Sequence, residues 1–279
     1  MEGTQLASDS TWTPDPGKPT LRAALRRLAL AVRRRLPTRL RRFAFRLGRF
    51  FGPEHDFPSV EGSLRALKSW GFAPRTAIDV GAYDGEWTAM FKEVYPQARV
   101  LMVEAQRSKA ERLMAVAAAF RGSVEVAIAL LSSTPRGNVR FVVMGTGSSV
   151  FEEASPYSRS YEQLDATTLD ALVSSLPAFS APDFIKLDVQ GYELEILKGA
   201  ASAIAAAECV LMEASLVRTN AGCPLLAEVI LFMQDQGFQA IDFCSHVRRR
   251  DRLLWQTDIL FARPDAKWLP GPTLDERNW

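Results

Sequence analysis

The chain has 279 residues, 47% hydrophobic and 24% charged, which is enough for one large domain with a sizeable core. Its net charge of +2 is unevenly distributed. Residues 1–50 carry twelve basic and three acidic side chains and have a net charge of +9, so the remaining residues have a net charge of −7. Only two histidines are present, which excludes a histidine-rich metal site, and no apolar run approaches the roughly 20 residues of a membrane span. Three widely spaced cysteines without a CxxC pair favour reduced thiols in the cytoplasm.

The N-terminal region divides into two segments. Residues 1–20 are rich in Thr, Ser, Asp, Pro and Gly, which predicts a disordered tail. Over residues 21–55 arginines alternate with Leu, Ala and Phe at helical spacing, which predicts a basic amphipathic helical extension. Residues 21–50 either form a solvated extension or lie on an anionic membrane or another acidic partner. No aromatic-basic pattern continues into the body, so we expect no nucleic-acid partner.

The body, residues 56–264, alternates apolar runs with amphipathic stretches. This order predicts an α/β fold with a doubly wound, mostly parallel sheet, and the last two strands are expected to form an antiparallel edge hairpin. Residues 59–71 are predicted to form a helix capped by Ser59 and ended by Gly71, and residues 192–208 a single helix. Residues 265–279 are assigned to a C-terminal tail.

Three acids stand at or near strand ends, Asp79, Glu104 and Asp188. In open α/β sheets ligands bind at the carboxyl ends of the strands, so these side chains are candidates for one site. Gly81 and Gly85 follow the first strand, where glycines allow close backbone approach and the next helix offers free N–H groups. Asp188 is a candidate for contact with a cationic ligand or an acceptor nucleophile, and a helix N-cap is its alternative role.

The glycine loop does not match a dinucleotide site. It lacks the G-x-G-x-x-G pattern, and Asp84 inside it would repel a phosphate, which weighs against a nicotinamide-dependent oxidoreductase. Glu104 follows Asp79 by 25 residues, the place of a ribose-binding acid, although a solvated strand-end carboxylate is the alternative. A ribose acceptor behind a loop unfavourable to pyrophosphate indicates a nucleoside without phosphates, and S-adenosylmethionine fits that description.

Five stretches together resemble the FkbM family of S-adenosylmethionine-dependent methyltransferases: "AIDVGAYDGEWTAMF", "VLMVEA", "GTGSSVFEE", "TTLDALV" and "DFIKLDVQGYELEILKGA". The likeness covers about residues 75–262, and "IKLDVQGYELEILKGA" is its most specific part. The resemblance implies a class I methyltransferase (Rossmann-like) fold with an antiparallel last strand. It also implies methyl transfer from S-adenosylmethionine, usually to a hydroxyl of a sugar, polyketide or other natural product.

The resemblance also implies roles for individual residues. Glu104 would take the ribose, residues 127–130 with Ala129 would lie along the adenine, and Ser148 and Ser149 would lie over the cofactor or acceptor. Tyr83 and Gln190 depart from the family pattern, which has Asn and often Glu at these positions. The methionine end would be held by Asp79, Gly81, Ala82, Asp84 and Gly85.

The expected mechanism is in-line displacement at the sulfonium methyl, with a base that takes the proton of the acceptor hydroxyl. Asp188 is the first candidate for this base, Glu213 the second and His246 the third. No ligand spacing requires a metal. The basic cluster at residues 246–252 is either a solvated hairpin tip or a site for an acidic or phosphorylated acceptor.

The sequence therefore predicts a cytoplasmic O-methyltransferase acting on a hydroxyl of a sugar, glycolipid or other natural product, with peripheral membrane association as an extension of that prediction. The alternative is a non-catalytic or nucleotide-binding Rossmann-like module, recruited to a membrane or acidic partner by its arginine-rich N-terminus. A nucleic-acid base methyltransferase is disfavoured because the [DNS]-P-P-[YFW] loop is absent.

Overall fold

A computed structural model describes residues 58–151, 158–218 and 220–272. The predicted tail over 1–20 and basic extension over 21–55 lie outside these residues, as do residues 273–279 of the predicted C-terminal tail. Within the described ranges no helix has the length and apolar character needed to cross a membrane.

The main sheet has eight strands. They are β1 Thr76–Val80, β2 Arg99–Glu104, β3 Val124–Ile128, β7 Phe184–Leu187, β8 Cys209–Ser215, β9 Gln239–Phe243, β10 Val247–Arg248 and β11 Leu254–Ala262. The first five lie side by side in the order β3, β2, β1, β7 and β8 and run parallel. Strand β11 is antiparallel to β8 and pairs on its other side with β9 and β10. This arrangement confirms the doubly wound α/β sheet with an antiparallel last strand.

Helices cover both faces of this sheet because side chains along each buried strand alternate between them. The helices are α1 Val60–Trp70, α2 Glu86–Val94, α3 Ala110–Ala118, α4 Leu169–Ser174, α5 Glu193–Lys198, α6 Ala201–Ala206 and α7 Leu226–Asp235. In β1, Ala77 packs in the hydrophobic core with α1, α2 and α3, whereas Ile78 and Val80 pack in the core with α4 to α7.

Helix α1 has the predicted caps. The Ser59 hydroxyl accepts a hydrogen bond from the Gly62 N–H at 3.0 Å, and Gly71 ends the helix in the left-handed conformation. The prediction of one helix over residues 192–208 is wrong, because the chain breaks between α5 and α6 at Gly199. A Cβ on Gly199 would lie 2.3 Å from the Ser132 carbonyl oxygen, so the break is set by a close approach of two distant segments.

A second, three-stranded sheet was not predicted as a unit. It has the order β4-β6-β5, with β4 Leu130–Leu131, β5 Arg136–Val143 and β6 Ser160–Thr167. The apolar run at residues 124–133 is divided at Ala129: β3 stays in the main sheet and β4 joins the second. Leu130, Phe141 and Ala166 form its small core. The second sheet therefore stands beyond the carboxyl end of β3.

Glu193 anchors the turn between β7 and α5 from a buried position. Its Oε1 accepts the N–H groups of Val189 at 2.9 Å and Gly191 at 3.1 Å. Burial raises the pKa of Glu193 to about 7, and Asp188 adds to the effect, while the backbone N–H groups oppose it. The carboxyl group is consequently a proton-binding site created by folding.

We predict that Glu193→Gln reduces the pH dependence of stability. The folded pKa lies above the ordinary 4.5, so the contribution of Glu193 is fully present below pH 4.5 and is lost as the pH rises through 7. Glutamine keeps an oxygen for both N–H groups and carries no charge. Between pH 5 and pH 8, the free energy of unfolding measured with urea should fall by about 1–3 kcal/mol more in the wild type than in the variant. The exposed control Glu111→Gln should show the same fall between the two pH values as the wild type. The same fall in Glu193→Gln would contradict the assignment.

Candidate active site

A cavity of about 1050 Å³ lies at the carboxyl ends of β1, β2, β7 and β8. The second sheet and the turn Gly145–Gly147 form its opposite wall. Acidic side chains outnumber basic ones among the lining residues, which favours a cationic ligand over a phosphate. The charged lining residues are Asp84, Glu86, Glu104, Asp188, Glu213, Arg159 and Lys186.

The loop after β1 lies directly against the end of β7. Gly81 has a φ of +76°, and a Cβ there would lie 1.9 Å from the Asp188 carbonyl oxygen, so the position requires glycine. The N–H groups of Gly81 and Ala82 both donate to the Val103 carbonyl, at 2.9 and 3.1 Å. The loop is thereby fixed between the two neighbouring strands and presents its backbone to the cavity.

A buried ion pair supports this loop. Asp79 is fully buried, accepts a hydrogen bond from the Thr88 hydroxyl at 2.7 Å and pairs with the Lys186 ammonium at 3.1 Å. Lys186 also donates to the Gly81 carbonyl at 3.0 Å. Burial disfavours the charge on Lys186, but Asp79 and then Asp188 outweigh it and raise the lysine pKa. Asp79 is buried and is not among the residues that line the cavity, so its predicted contact with the methionine end stays a prediction.

Glu104 lines the cavity at the end of β2. Its two carboxylate oxygens accept the N–H groups of Tyr83 and Gln106, each at 2.9 Å. Each oxygen keeps a lone pair for a further donor, since an ionised carboxylate offers about four acceptor sites. Nearby, Asp84 pairs with Lys109 at 3.0 Å, and the lysine ammonium lies 3.4 Å from the centre of the Tyr83 ring.

The ends of β7 and β8 bring two acids together. The Gln190 side-chain amide donates to Asp188 Oδ1 at 3.1 Å and to Glu213 Oε1 at 3.3 Å, and the Gln256 amide donates to the same Glu213 oxygen. Burial raises the pKa of Glu213 well above its usual value, and the charge of Asp188 raises it further. Asp188 Oδ2 lies 3.8 Å from the Lys186 ammonium. The cavity therefore contains a carboxyl group with high proton affinity.

Most of the predicted site residues meet in this cavity. Besides Asp79, two of them do not line it. Gly85 precedes α2 and lies against Val116 and Met102, and His246 is exposed elsewhere on the surface. Across the described ranges no three His, Cys, Asp or Glu side chains are grouped as a metal site. The predicted residues on the wall are Gly81, Ala82, Asp84, Glu104, Ala129, Ser148, Ser149, Asp188 and Glu213.

Several lining residues were not predicted. Trp255 and Gln256 lie near the amino end of β11. Because β11 is antiparallel, this end meets the carboxyl ends of the parallel strands. Since the sequence analysis already predicts an antiparallel last strand, the position of these two side chains at the site could have been predicted as well. Trp87 and Trp255 each have a buried indole N–H without a hydrogen-bond partner among the described residues.

Solved structures with similar folds include several methyltransferases. The precorrin-6y C5,15-methyltransferase from Geobacter metallireducens GS-15 is 13% identical, with 73% of this chain and 87% of that chain covered and a TM-score of 0.43. The 1,6-didemethyltoxoflavin-N1-methyltransferase from Burkholderia thailandensis, solved with 1,6-didemethyltoxoflavin and S-adenosylhomocysteine, is 13% identical, with 86% and 90% covered and a TM-score of 0.42. An O-methyltransferase family protein from Burkholderia thailandensis is 14% identical, with 73% and 55% covered and a TM-score of 0.42.

A family model gives the more specific result. The model of the methyltransferase FkbM domain matches residues 79–240, more than half of the chain, and this range contains the glycine loop, Glu104, Asp188 and Glu213. No curated protein sequence shows a significant match. The chain therefore belongs to the FkbM methyltransferase domain family.

Proposed function

We propose that this protein transfers a methyl group from S-adenosylmethionine to a hydroxyl oxygen of a small-molecule or glycan acceptor. The proposal depends on one observation above all: a single cavity contains the glycine loop, Glu104, and the paired acids Asp188 and Glu213. Membership of the family supports methyl transfer, and the chemistry of the cavity wall supports the cofactor and the kind of acceptor.

The residues present fit S-adenosylmethionine. Glu104 can accept ribose hydroxyls on its remaining lone pairs while it keeps its bonds to the Tyr83 and Gln106 N–H groups. Gly81 and Ala82 line the cavity beside Glu104, so a ligand bound there would contact the glycine loop. The excess of acidic side chains on the wall suits a cationic nucleoside and opposes a pyrophosphate.

The protein has two chemical tasks in this reaction. S-adenosylmethionine supplies a methyl group on a sulfonium, which is already a good leaving group. The chain must orient the acceptor hydroxyl and remove its proton. We assign the proton to Glu213, since its raised pKa makes it a stronger proton acceptor than an ordinary carboxylate, and Asp188 is one cause of that rise. Asp188 itself is the alternative base.

The surroundings of Glu213 suit an acceptor that carries several hydroxyls. The side-chain amides of Gln190 and Gln256 converge on the carboxyl group, and the Trp255 side chain lines the same region. Side-chain amides beside an aromatic ring offer hydrogen-bonding groups and an apolar surface, a combination that suits sugars and hydroxylated natural products.

The stability of the labelled linkage to alkali distinguishes methylation of a hydroxyl from methylation of a carboxyl group. Purified protein would be incubated with methyl-labelled S-adenosylmethionine and a glycolipid and small-molecule extract of the host cell. We expect label that resists mild alkali, because methyl ethers are stable and methyl esters are hydrolysed. Alkali-labile label would overturn the hydroxyl acceptor. Binding of S-adenosylmethionine without transfer to any fraction would favour the non-catalytic alternative.

Glu104→Ala should weaken S-adenosylmethionine binding by about a hundredfold or more, because two hydrogen bonds to a charged acceptor are lost. Isothermal titration calorimetry would measure the affinity, and thermal unfolding would verify that the variant is folded. The matched control Glu111→Ala changes an exposed glutamate on α3 and should bind like the wild type. Near-normal affinity of a folded Glu104→Ala protein would refute the ribose assignment.

Glu213→Gln should lower the transfer rate by about 10²- to 10⁴-fold and abolish its rise with pH, because the base must be deprotonated to act. Asp188→Asn should retain measurable transfer. Its rate should rise at lower pH than the wild-type rate, since removal of a negative neighbour lowers the Glu213 pKa. Rate–pH profiles with the labelled acceptor would test both. If Asp188→Asn loses transfer at every pH while Glu213→Gln retains it, the base is Asp188.

A further inference from the structure

The hairpin that joins β9 to β11, residues 243–254, carries a concentrated positive charge. Four arginines and one aspartate give it a net charge of +3, and all five side chains are exposed. Arg249 pairs with Asp251 at 2.6 Å, and Arg248 donates to the Arg252 carbonyl at 3.1 Å. Among the described residues, no salt bridge involves Arg250 or Arg252. The charge is therefore available to an external anion.

Exposed apolar side chains lie in the same hairpin. Phe243 and Val247 are each 42% exposed and Leu253 is 49% exposed. They are three of the seven large hydrophobic residues exposed in the described part of the chain, and they fall within eleven residues of sequence. Clustered cations beside exposed apolar groups suit the interface of an anionic bilayer, where arginines meet phosphates and apolar groups enter the headgroup region. A nucleic acid would use the arginines but gain little from the aliphatic side chains.

The hairpin is continuous with the wall of the active-site cavity. Val247 of β10 pairs with Gln256 of β11, and both Gln256 and its neighbour Trp255 line the cavity. The wall of the cavity is acidic and the hairpin is basic. A surface bound by the hairpin would accordingly lie next to the cavity.

We propose that the hairpin 243–254 docks this protein on an anionic membrane surface. The arginines supply the attraction to lipid phosphates, and Phe243, Val247 and Leu253 supply the apolar contact. The docking does not depend on the methyl-transfer reaction. It places the cavity beside the lipid headgroups. Residues 1–50, with a net charge of +9, add to the same attraction, so the test must separate the two segments.

Co-sedimentation of the full chain with vesicles would test the proposal. The vesicles would contain phosphatidylcholine alone or with about 30% phosphatidylglycerol, at about 0.1 M and about 0.5 M NaCl. We expect binding to the anionic vesicles, little binding to pure phosphatidylcholine, and weaker binding at high salt. The double variant Arg250→Ser/Arg252→Ser should bind anionic vesicles about tenfold or more weakly, and Leu253→Ser should bind more weakly at both salt concentrations.

Matched variants away from the hairpin serve as controls. Leu231→Ser changes a leucine on α7 that is 61% exposed, and Arg112→Ser/Arg121→Ser removes two exposed arginines. Both should bind vesicles like the wild type. S-adenosylhomocysteine affinity and thermal unfolding should be unchanged in the hairpin variants, which separates a failure of docking from a failure of the active site.

Four results would overturn the proposal. Equal binding by hairpin and control variants would assign the attraction to residues 1–50. Equal binding to both vesicle types, or no binding to anionic vesicles, would exclude a charge-driven surface. In a gel shift with duplex DNA, variants that lose DNA binding but keep vesicle binding would assign the hairpin to a nucleic acid.

Discussion

The ion pair between Asp79 and Lys186 holds the functional edge of the sheet together. The two residues lie opposite each other in the parallel register of β1 and β7, and both are buried. Thr88 and the Gly81 carbonyl satisfy further atoms of the pair, which is the condition under which a buried pair is tolerated. Loss of either partner would leave an uncompensated charge, at a cost of about 3–5 kcal/mol, and would free the glycine loop.

This pair also determines the electrostatics of the cavity. Since the Lys186 charge is directed mainly at Asp79, the acids at the ends of β7 and β8 face the cavity with little positive compensation. Burial and mutual repulsion then raise the pKa of Glu213, and burial raises that of Glu193 beneath the same turn. Such groups reduce stability at neutral pH, and carboxyl groups with strongly shifted pKa values are typical of functional sites.

Sequence reasoning succeeded where a local pattern and the rules of sheet topology were sufficient. Glu104 and Asp188 are predicted to share one site because the carboxyl ends of parallel strands meet at one edge, and both line the cavity. Ser59 and Gly71 are predicted as caps from short-range preferences. It failed where contacts between distant segments decide the outcome. The prediction of one helix over residues 192–208 is wrong because the Ser132 carbonyl approaches Gly199, a contact that no local pattern reveals.

The position of the basic hairpin 243–254 follows from the topology of the sheet, but the types of residue in the hairpin do not. Because β11 runs antiparallel to β8, its amino end must arrive at the carboxyl edge of the parallel strands, and the connection before it must lie beside the cavity. Any sequence that adopts this sheet order therefore places a loop at that edge. The loop does not need arginines or exposed apolar side chains to form, so these side chains of 243–254 are free to serve the docking that we propose.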